Sequence, residues 1–390
     1  MMKITFIIFL LNMYAIKLKL KLNNKEETFF ESCAGYSRFI YNYALSLLLA
    51  TWDDKSIKAS DSKTLNTIRA VFTNVTKKQE GNEWMSKYSS RIYQHAFIAL
   101  KSAFSRYRSK TIKGSLPRYK RKNHKPSFTV DNCRGKMPVL AGKKIKIPTL
   151  GTFRLQQPMP YTCMSQTFTL SKEANGWYVS FLVADCCRRP KMTHTEKCIG
   201  VDLGIKTFAT LNNGHTFDLP ESIKKLENKI RLFQYYNRNK QTGDRRKGIK
   251  QSNNAKKYFA KLRKLYARLA NIRKDFLHKV TTELATTAQE VKIEDLAVKN
   301  MMANHKLALA ISRGSFYTFR SMLDYKQSFY GFKLTVVDRF YPSSKTCSNC
   351  GHIQDMPLKQ RVFKCDNCGS EEDRDKNAAI NIANWSPDVG

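Results

Sequence analysis

Four cysteines have the spacing of a metal site. Cys347-x-x-Cys350 and Cys365-x-x-Cys368 are fourteen residues apart, and Gly351 and Gly369 directly follow the second cysteine of each pair. Each pair can turn on a tight knuckle. Four thiolates then close a tetrahedral shell with no open position, which is the pattern of structural rather than catalytic Zn²⁺. Three acids in the C-terminal half form a second pattern. Asp202 ends the apolar run Ile199-Gly200-Val201, and Glu294 follows Val291–Ile293 with Asp295 beside it. Asp375 opens an alanine-rich helix in Asp373-Arg374-Asp375-Lys376-Asn377-Ala378-Ala379. An acid at a strand end faces the crevice where parallel α/β sheets bind ligands. Three carboxylates meeting there could hold two Mg²⁺ ions about 4 Å apart, which activates water and stabilises the leaving oxygen of a phosphodiester. Singly, the acids read as a turn residue, an exposed acid and a helix cap. Together, in a chain this basic, they favour a nuclease.

The chain has 390 residues, with 69 Lys plus Arg against 31 Asp plus Glu, a net charge of +38. Such an imbalance repels itself and is tolerated where a polyanion neutralises it, so nucleic acid is the leading partner and an anionic membrane the other candidate. Only the N-terminus offers a membrane anchor. There Lys3 precedes an apolar run, Ile4–Leu11, too short for a span of about 20 residues. No small-x-small cleavage site follows it. Residues 1–13 therefore read as a misassigned start, with Met13 the initiator, and the protein as soluble and intracellular, with no membrane partner. Cys33, Cys133, Cys163, Cys186, Cys187 and Cys198 show no disulfide framework, which agrees with a reducing compartment.

Two tracts hold much of the charge. Residues 106–125 and 250–274 each carry nine basic residues and no acid. They interleave Tyr107, Tyr119, Tyr258 and Tyr266 with cations, so that lysine and arginine could track phosphates while rings stack bases. Arg118, Tyr119, Lys120, Arg121 and Lys122 in the first tract, and Lys257, Lys261, Arg268, Arg273 and Lys274 in the second, are the candidate contacts. The bland alternative is a solvated face with the tyrosines in the core, and Tyr266 suits a core role best.

The elements that must position these residues follow from hydrophobic periodicity. Ile16, Leu18, Leu20 and Leu22 alternate with lysines as a one-face-buried strand. Phe29, Cys33, Tyr36, Ile40, Tyr43 and Leu47 predict a helix entered near Asn24, and Ile92, Ala96, Ala99, Ala103 and Tyr107 predict another over about 89–107. Strand-like runs at 144–148, 151–155, 168–170 and 177–183 predict a small antiparallel sheet or barrel, completed by the strand at 14–22. Beyond Cys198, a strand ending at Asp202 leads through a lysine-rich stretch to a long helix over about 254–288. A short strand ending at Glu294, a helix over 316–330 and a strand over 333–338 come next.

The acid motifs also carry a family resemblance. Gly200-Val201-Asp202-Leu203-Gly204, Ile293-Glu294-Asp295-Leu296 and Asp373-Arg374-Asp375-x-Asn377-Ala378-Ala379-x-Asn381-Ile382 resemble the three RuvC motifs of the TnpB (OrfB) family of insertion-sequence proteins, related to compact type V CRISPR nucleases. The cysteine pairs fall between the second and third motifs, as in that family. Arg38-Phe39-Ile40-Tyr41-Asn42-Tyr43-Ala44-Leu45, Pro117-Arg118-Tyr119-Lys120, Asn271-x-Arg273-x-Asp275-Phe276-x-His278-Lys279 and Tyr341-Pro342-Ser343-Ser344-Lys345-Thr346-Cys347 extend it over nearly the whole chain.

The resemblance implies a multidomain α+β protein: an RNase H-like (RuvC) α/β domain with an inserted zinc ribbon, preceded by a small β-barrel with an inserted helical recognition domain. The implied boundaries are 14–23 with 109–196 for the wedge-like barrel and 24–108 for the recognition domain. The nuclease domain takes 197–346 with 370–384, the ribbon 347–369, and a tail 385–390. It implies an RNA-guided DNA endonuclease of a transposable element, in the prokaryotic cytoplasm at the nucleoid. Its partners would be a guide RNA from the element end and double-stranded target DNA, with no small-molecule substrate. Asp202, Glu294 and Asp375 would be the Mg²⁺ triad, Asp373 being the competing third acid, and the four cysteines would hold Zn²⁺. An RNA-guided repressor that does not cut, and a transposase acting on element ends, are the alternatives.

Overall fold

The alternation of Leu18 and Leu20 with lysines builds β1 (Met13–Lys21), whose buried face takes the leucines while the lysines point outward. The computed structural model describes residues 13–53, 60–112, 114–122, 125–184, 194–244, 248–304, 308–357 and 360–387. Cys186, Cys187, His124, His305 and the apolar run at 4–11 lie outside the described residues. The chain divides into two compact units, residues 1–187 and 188–390.

In the first unit, β1 is followed by α1 (Asn24–Asp53), α2 (Asp61–Asn74) and α3 (Ser90–Arg108). Strands β2 (Ser127–Asp131), β3 (Met137–Val139), β4 (Gly142–Ile147), β5 (Gly151–Met159), β6 (Cys163–Ser165), β7 (Thr167–Glu173) and β8 (Gly176–Ala184) complete it. Six strands form an antiparallel sheet in the order β2-β7-β8-β1-β5-β4, and β3 pairs with β6 separately. Because β1 lies between β8 (Leu18 opposite Val179) and β5 (Leu20 opposite Leu155), the chain leaves the sheet after its first strand and returns at β2 with the helices inserted between. Phe30 of α1 seals helix to sheet, its ring edge-on to Phe128, Phe153 and Trp177 at centroid distances of 5.6, 4.9 and 5.4 Å.

The buried face of α1 is wider than the expected stripe. Cys33, Tyr36 and Ile40 of the stripe are buried, but so are Phe30, Ala34, Tyr41, Ala44 and Leu48, whereas Phe29 and Leu47 are each 37% exposed. The helix packs on α2, α3 and the sheet. A broad apolar face meets those neighbours, and a strict alternation of fours and threes traces only part of it.

The second unit holds β9 (Glu196–Leu203), β10 (Ala209–Leu211), β11 (Thr216–Phe217), α4 (Glu221–Tyr236), α5 (Asn253–Thr287) and β12 (Ala288–Glu294). It continues through α6 (Val298–Met301), α7 (Ala308–Gly314), α8 (Phe316–Tyr330), β13 (Lys333–Val337), β14 (Val362–Lys364), β15 (Glu371–Asp373) and α9 (Arg374–Asn384). Its five-stranded sheet runs β11-β10-β9-β12-β13, with β9, β12, β13 and β11 in one sense and β10 antiparallel to its two neighbours. Helix α5 buries Leu277, Val280 and Leu284 in the core of this sheet, and Leu269 against Ile223, Leu226 and Ile230 of α4. Lys326 of α8 is buried and donates to the His278 carbonyl (2.9 Å) and to the hydroxyls of Thr281 (2.7 Å) and Thr282 (2.6 Å). Burial pushes its ammonium down to about 8. Among the described residues, no helix is long and apolar enough to cross a membrane.

Candidate functional site

Two parallel strands and one helix bring the acids together. Asp202 is the penultimate residue of β9 and Glu294 the last of β12; the strands run in parallel register, with Val201 opposite Ile293. Both carboxylates therefore emerge at the same end of the sheet. Asp375 stands in the first turn of α9, which lies on β9 and β12. The close approach depends on Gly200, where a Cβ would sit 2.1 Å from the Ala379 carbonyl oxygen and 2.5 Å from the Ala383 nitrogen. At the other end of α9, Lys292 donates to the carbonyls of Ala383 (2.8 Å) and Trp385 (2.7 Å), satisfying two helix-end acceptors from the strand that carries Glu294.

The electrostatics of the group are those of a carboxylate cluster. Burial, then the charges of Glu294 and Asp375, hold the Asp202 carboxyl well above its ordinary range. Burial also raises Glu294, against the opposing hydrogen bond from the Ser343 hydroxyl at 2.6 Å. Asp373 is the N-cap of α9: one of its oxygens accepts from the backbone N–H groups of Asp375 (3.0 Å) and Lys376 (3.1 Å). Asp375 has Arg361 at 3.8 Å. A cleft of about 320 Å³ adjoins Glu294, lined among others by Leu203, Leu296, Tyr317, Arg320 and Arg339. Both arginines ion-pair with Asp295, so that acid steadies the cleft wall.

The four cysteines also converge. Their sulfurs lie within 4.8 Å of one another, with Cys347–Cys368 at 3.7 Å and Cys350–Cys365 at 3.6 Å. A tetrahedral ion with bonds near 2.3 Å to each sulfur would set them about 3.8 Å apart, so the set fits zinc. Gly351 and Gly369 have φ of +77° and +69°, the left-handed conformation that glycine adopts without strain. Their N–H groups close the knuckles onto the carbonyls of Cys347 (2.9 Å) and Cys365 (3.0 Å). The backbone N–H of His352, then the side-chain amide of Asn367, pulls the Cys350 thiol below its ordinary value, while, against the backbone N–H of Cys368, burial and the neighbouring thiols push Cys365 up to about 11.

The nucleic-acid candidates are scattered in character. Arg118, Tyr119, Arg121 and Lys122 are exposed. Lys120 is half-buried, its backbone held by both amide atoms of Asn42 and its ammonium 4.1 Å from the Tyr41 ring centre. On α5, Lys257, Lys261, Arg268 and Lys274 are exposed. Arg273 instead donates to Glu227 at 2.6 Å, and Arg313 holds the other oxygen of that carboxylate at 2.7 Å. The tyrosines reverse the sequence expectation. Tyr258 is buried against Phe233, whereas Tyr266 is 47% exposed, because α4 covers the helix face that carries Tyr258. Gly200 and Ser343 fall within the motifs, but their roles, like that of Lys292, were not legible in the sequence, since each acts through a segment distant along the chain. The i,i+4 spacing of Asn377 and Asn381, two amides on one helix face beside small alanines, was the available signal.

Comparison with known proteins gives this arrangement a family. The chain is 34% identical over 352 residues to a protein of Streptomyces pristinaespiralis named "Putative RNA-guided DNA endonuclease", covering 89% of this chain and 83% of that one. The chain belongs to the TnpB (OrfB) family. InsQ of Escherichia coli (strain K12), bearing the same description, is 27% identical over 384 residues, covering 94% and 91% of the two chains. Three family models match: "Probable transposase" over residues 179–305, "Cas12f1-like, TNB domain" over 316–382 and "Helix-turn-helix domain" over 13–55. The last of these spans one strand and one continuous helix, β1 and α1. Among solved structures, the Cas12f1 chain of a complex with single-guide RNA and target DNA superposes with a TM-score of 0.56 at 16% identity, over 94% of this chain and 84% of that one. The shared fold is thus that of the compact type V effectors, mixed α/β, with the ribbon region in common.

Proposed function

We propose that this TnpB-family chain is an RNA-guided DNA endonuclease that cuts target DNA at one Mg²⁺-dependent RuvC-type site. The observation that carries the reading is that Asp202, Glu294 and Asp375 come to one end of a five-stranded sheet, near enough for the charges of the other two to raise the Asp202 carboxyl. Four strands of that sheet run in one sense and β10 alone opposes them, second from one edge, an order that suits an RNase H-like reading. A half-buried carboxylate with two more beside it is costly in an otherwise basic protein unless cations compensate it. These donors are hard oxygens, which suit Mg²⁺. When bound there, Mg²⁺ supplies an activated water and charge stabilisation for the leaving oxygen. The chain's own residues do the holding. Asp202 and Glu294 are fixed by strand ends, and Asp375 by the first turn of a helix whose cap is Asp373, which makes Asp375 the better third ligand. The ribbon's zinc is structural.

Guide RNA and double-stranded DNA are the proposed partners, the RNA drawn from the end of the encoding element. The six-stranded sheet and the α1–α3 block correspond, on this reading, to the wedge-like barrel and the recognition domain. The exposed cations of residues 106–125 and of α5 hold phosphates without reading bases. The test combines two measurements. RNA copurifying with the chain should be a discrete species from the element end, and the loaded protein should cut a matching duplex in Mg²⁺. Asp202→Ala should abolish cutting while the RNA stays bound. Random cellular RNA, or cutting that survives in Asp202→Ala, would reject the reading.

A further inference from the structure

A seam of buried hydrogen bonds links the two candidate metal sites, and neither site needs it for its own ligands. The loop after β13 leads to Cys347, and Ser343 in it is 5% exposed. The Ser343 hydroxyl donates to Glu294 Oε1. The Ser343 carbonyl accepts from Asn381 Nδ2 at 2.8 Å, and the same amide nitrogen donates to the Thr346 carbonyl at 2.6 Å. One turn earlier on α9, Asn377 Nδ2 donates to the Thr346 carbonyl at 2.7 Å, while Asn377 Oδ1 accepts from the Ser348 N–H at 2.9 Å. Thr346 and Ser348 bracket the first cysteine. Asn377 is two residues beyond Asp375.

Asn377 and Asn381 are 1% and 4% exposed. A buried amide left unpartnered costs about 1–3 kcal/mol, so two amides spent on one loop discriminate strongly against any displaced loop. The loop that they fix presents a single side-chain hydroxyl to Glu294. Holding Oε1 restricts rotation of the Glu294 carboxylate. Outer-shell donors of this kind set ligand orientation, and their loss typically weakens metal binding by about 10- to 100-fold.

We infer that Ser343 is a positioning residue for Glu294, and that Asn377 and Asn381 hold it in register with the helix of Asp375, so that the first cysteine knuckle and the carboxylate cluster are one mechanical unit. This rests on the reading of the carboxylates as a Mg²⁺ site. The test uses the full chain with its copurified RNA and Mn²⁺ as the probe, with binding read by electron paramagnetic resonance and zinc content by atomic emission. Ser343→Ala should weaken Mn²⁺ binding about 10-fold while zinc content stays at the wild-type value. Ser343→Thr, which keeps the hydroxyl, should restore binding. Asn377→Ala should weaken Mn²⁺ binding in the same direction. Wild-type Mn²⁺ affinity in Ser343→Ala, with binding abolished in Asp202→Ala, would overturn the inference alone. Loss of zinc in both Ser343 variants would make the residue merely structural and also overturn it. A wild-type chain that binds no Mn²⁺ would overturn the metal-site reading and the inference together.

Discussion

Asp202 is raised well above its ordinary value by burial and by Glu294 and Asp375, and that shift has a sign for stability. A carboxylate whose folded-state pKa lies above its unfolded value favours folding only while protonated, and the contribution is lost as pH rises through the folded value. At neutral pH without metal, the Asp202 charge therefore works against the fold. Asp202→Asn should raise the melting temperature of the metal-free chain, by about 2–4 °C for each kcal/mol recovered, while abolishing cleavage. Melting curves in EDTA check this, and a lower melting temperature for the Asn variant would show that the carboxylate makes net stabilising contacts. The residue types at this scale were legible because chemistry narrows them: thiolates at C-x-x-C spacing suit a zinc knuckle, and carboxylates suit hard cations. Their supports were not. Ser343 bonds an acid 49 positions away and Lys292 reaches carbonyls more than 90 positions on, so sequence proximity carries no trace of either contact.

The helix α9 does its work by proximity to β9, and Gly200 is the condition for that proximity. In Gly200→Ala, the new methyl would meet the backbone of α9 at 2.1 and 2.5 Å, distances that only movement of the helix can relieve. Overpacking of this kind costs about 1–3 kcal/mol, and the displaced helix carries Asp375 away from Asp202. Cleavage should fall to background although every acid and cysteine is retained, and the melting temperature should drop. Unchanged melting and cleavage would place α9 elsewhere. Long periodic elements such as α5 and α8, and the alternating strands, were readable, since their patterns repeat often enough to outweigh local noise. α4 was not: its buried Ile223, Leu226 and Ile230 sit among the lysines of what reads only as a lysine-rich stretch. The strands of two or three residues, β3, β6, β10, β11, β14 and β15, exist through their pairing partners and have no period to detect. The buried side of α5 at Tyr258 was misjudged for the same reason, because it is set by α4.

At the scale of the whole molecule, a net charge of +38 needs a counter-charge, and the two acid-free tracts differ in what they can offer one. On α5, Lys257, Lys261, Arg268 and Lys274 are exposed, whereas Arg273 is committed to Glu227 together with Arg313. Exposed cations that contact phosphate release counterions on binding, and each contributes about 0.7 to the slope of log affinity against log salt for single-stranded nucleic acid. Replacing all four by alanine should therefore weaken guide-RNA binding and reduce the slope by up to about 3, without lowering the melting temperature of the protein. Arg273→Ala should do the reverse: the slope stays near wild type, while stability falls because Glu227 loses one of its two partners. Fluorescence anisotropy of labelled RNA across a salt series, with melting curves on the same preparations, separates the two. A wild-type slope in the quadruple variant would mean that this face of α5 meets only solvent, and the charge would then have to be neutralised through the tract at 106–125. That tract has its own internal contrast, since Lys120 is pinned by Asn42 while Arg118, Arg121 and Lys122 extend outward from it. Charge density along the sequence identifies the tracts that can bind a polyanion; which cations within them are free to do so is decided by the acids and rings that the fold sets beside each one.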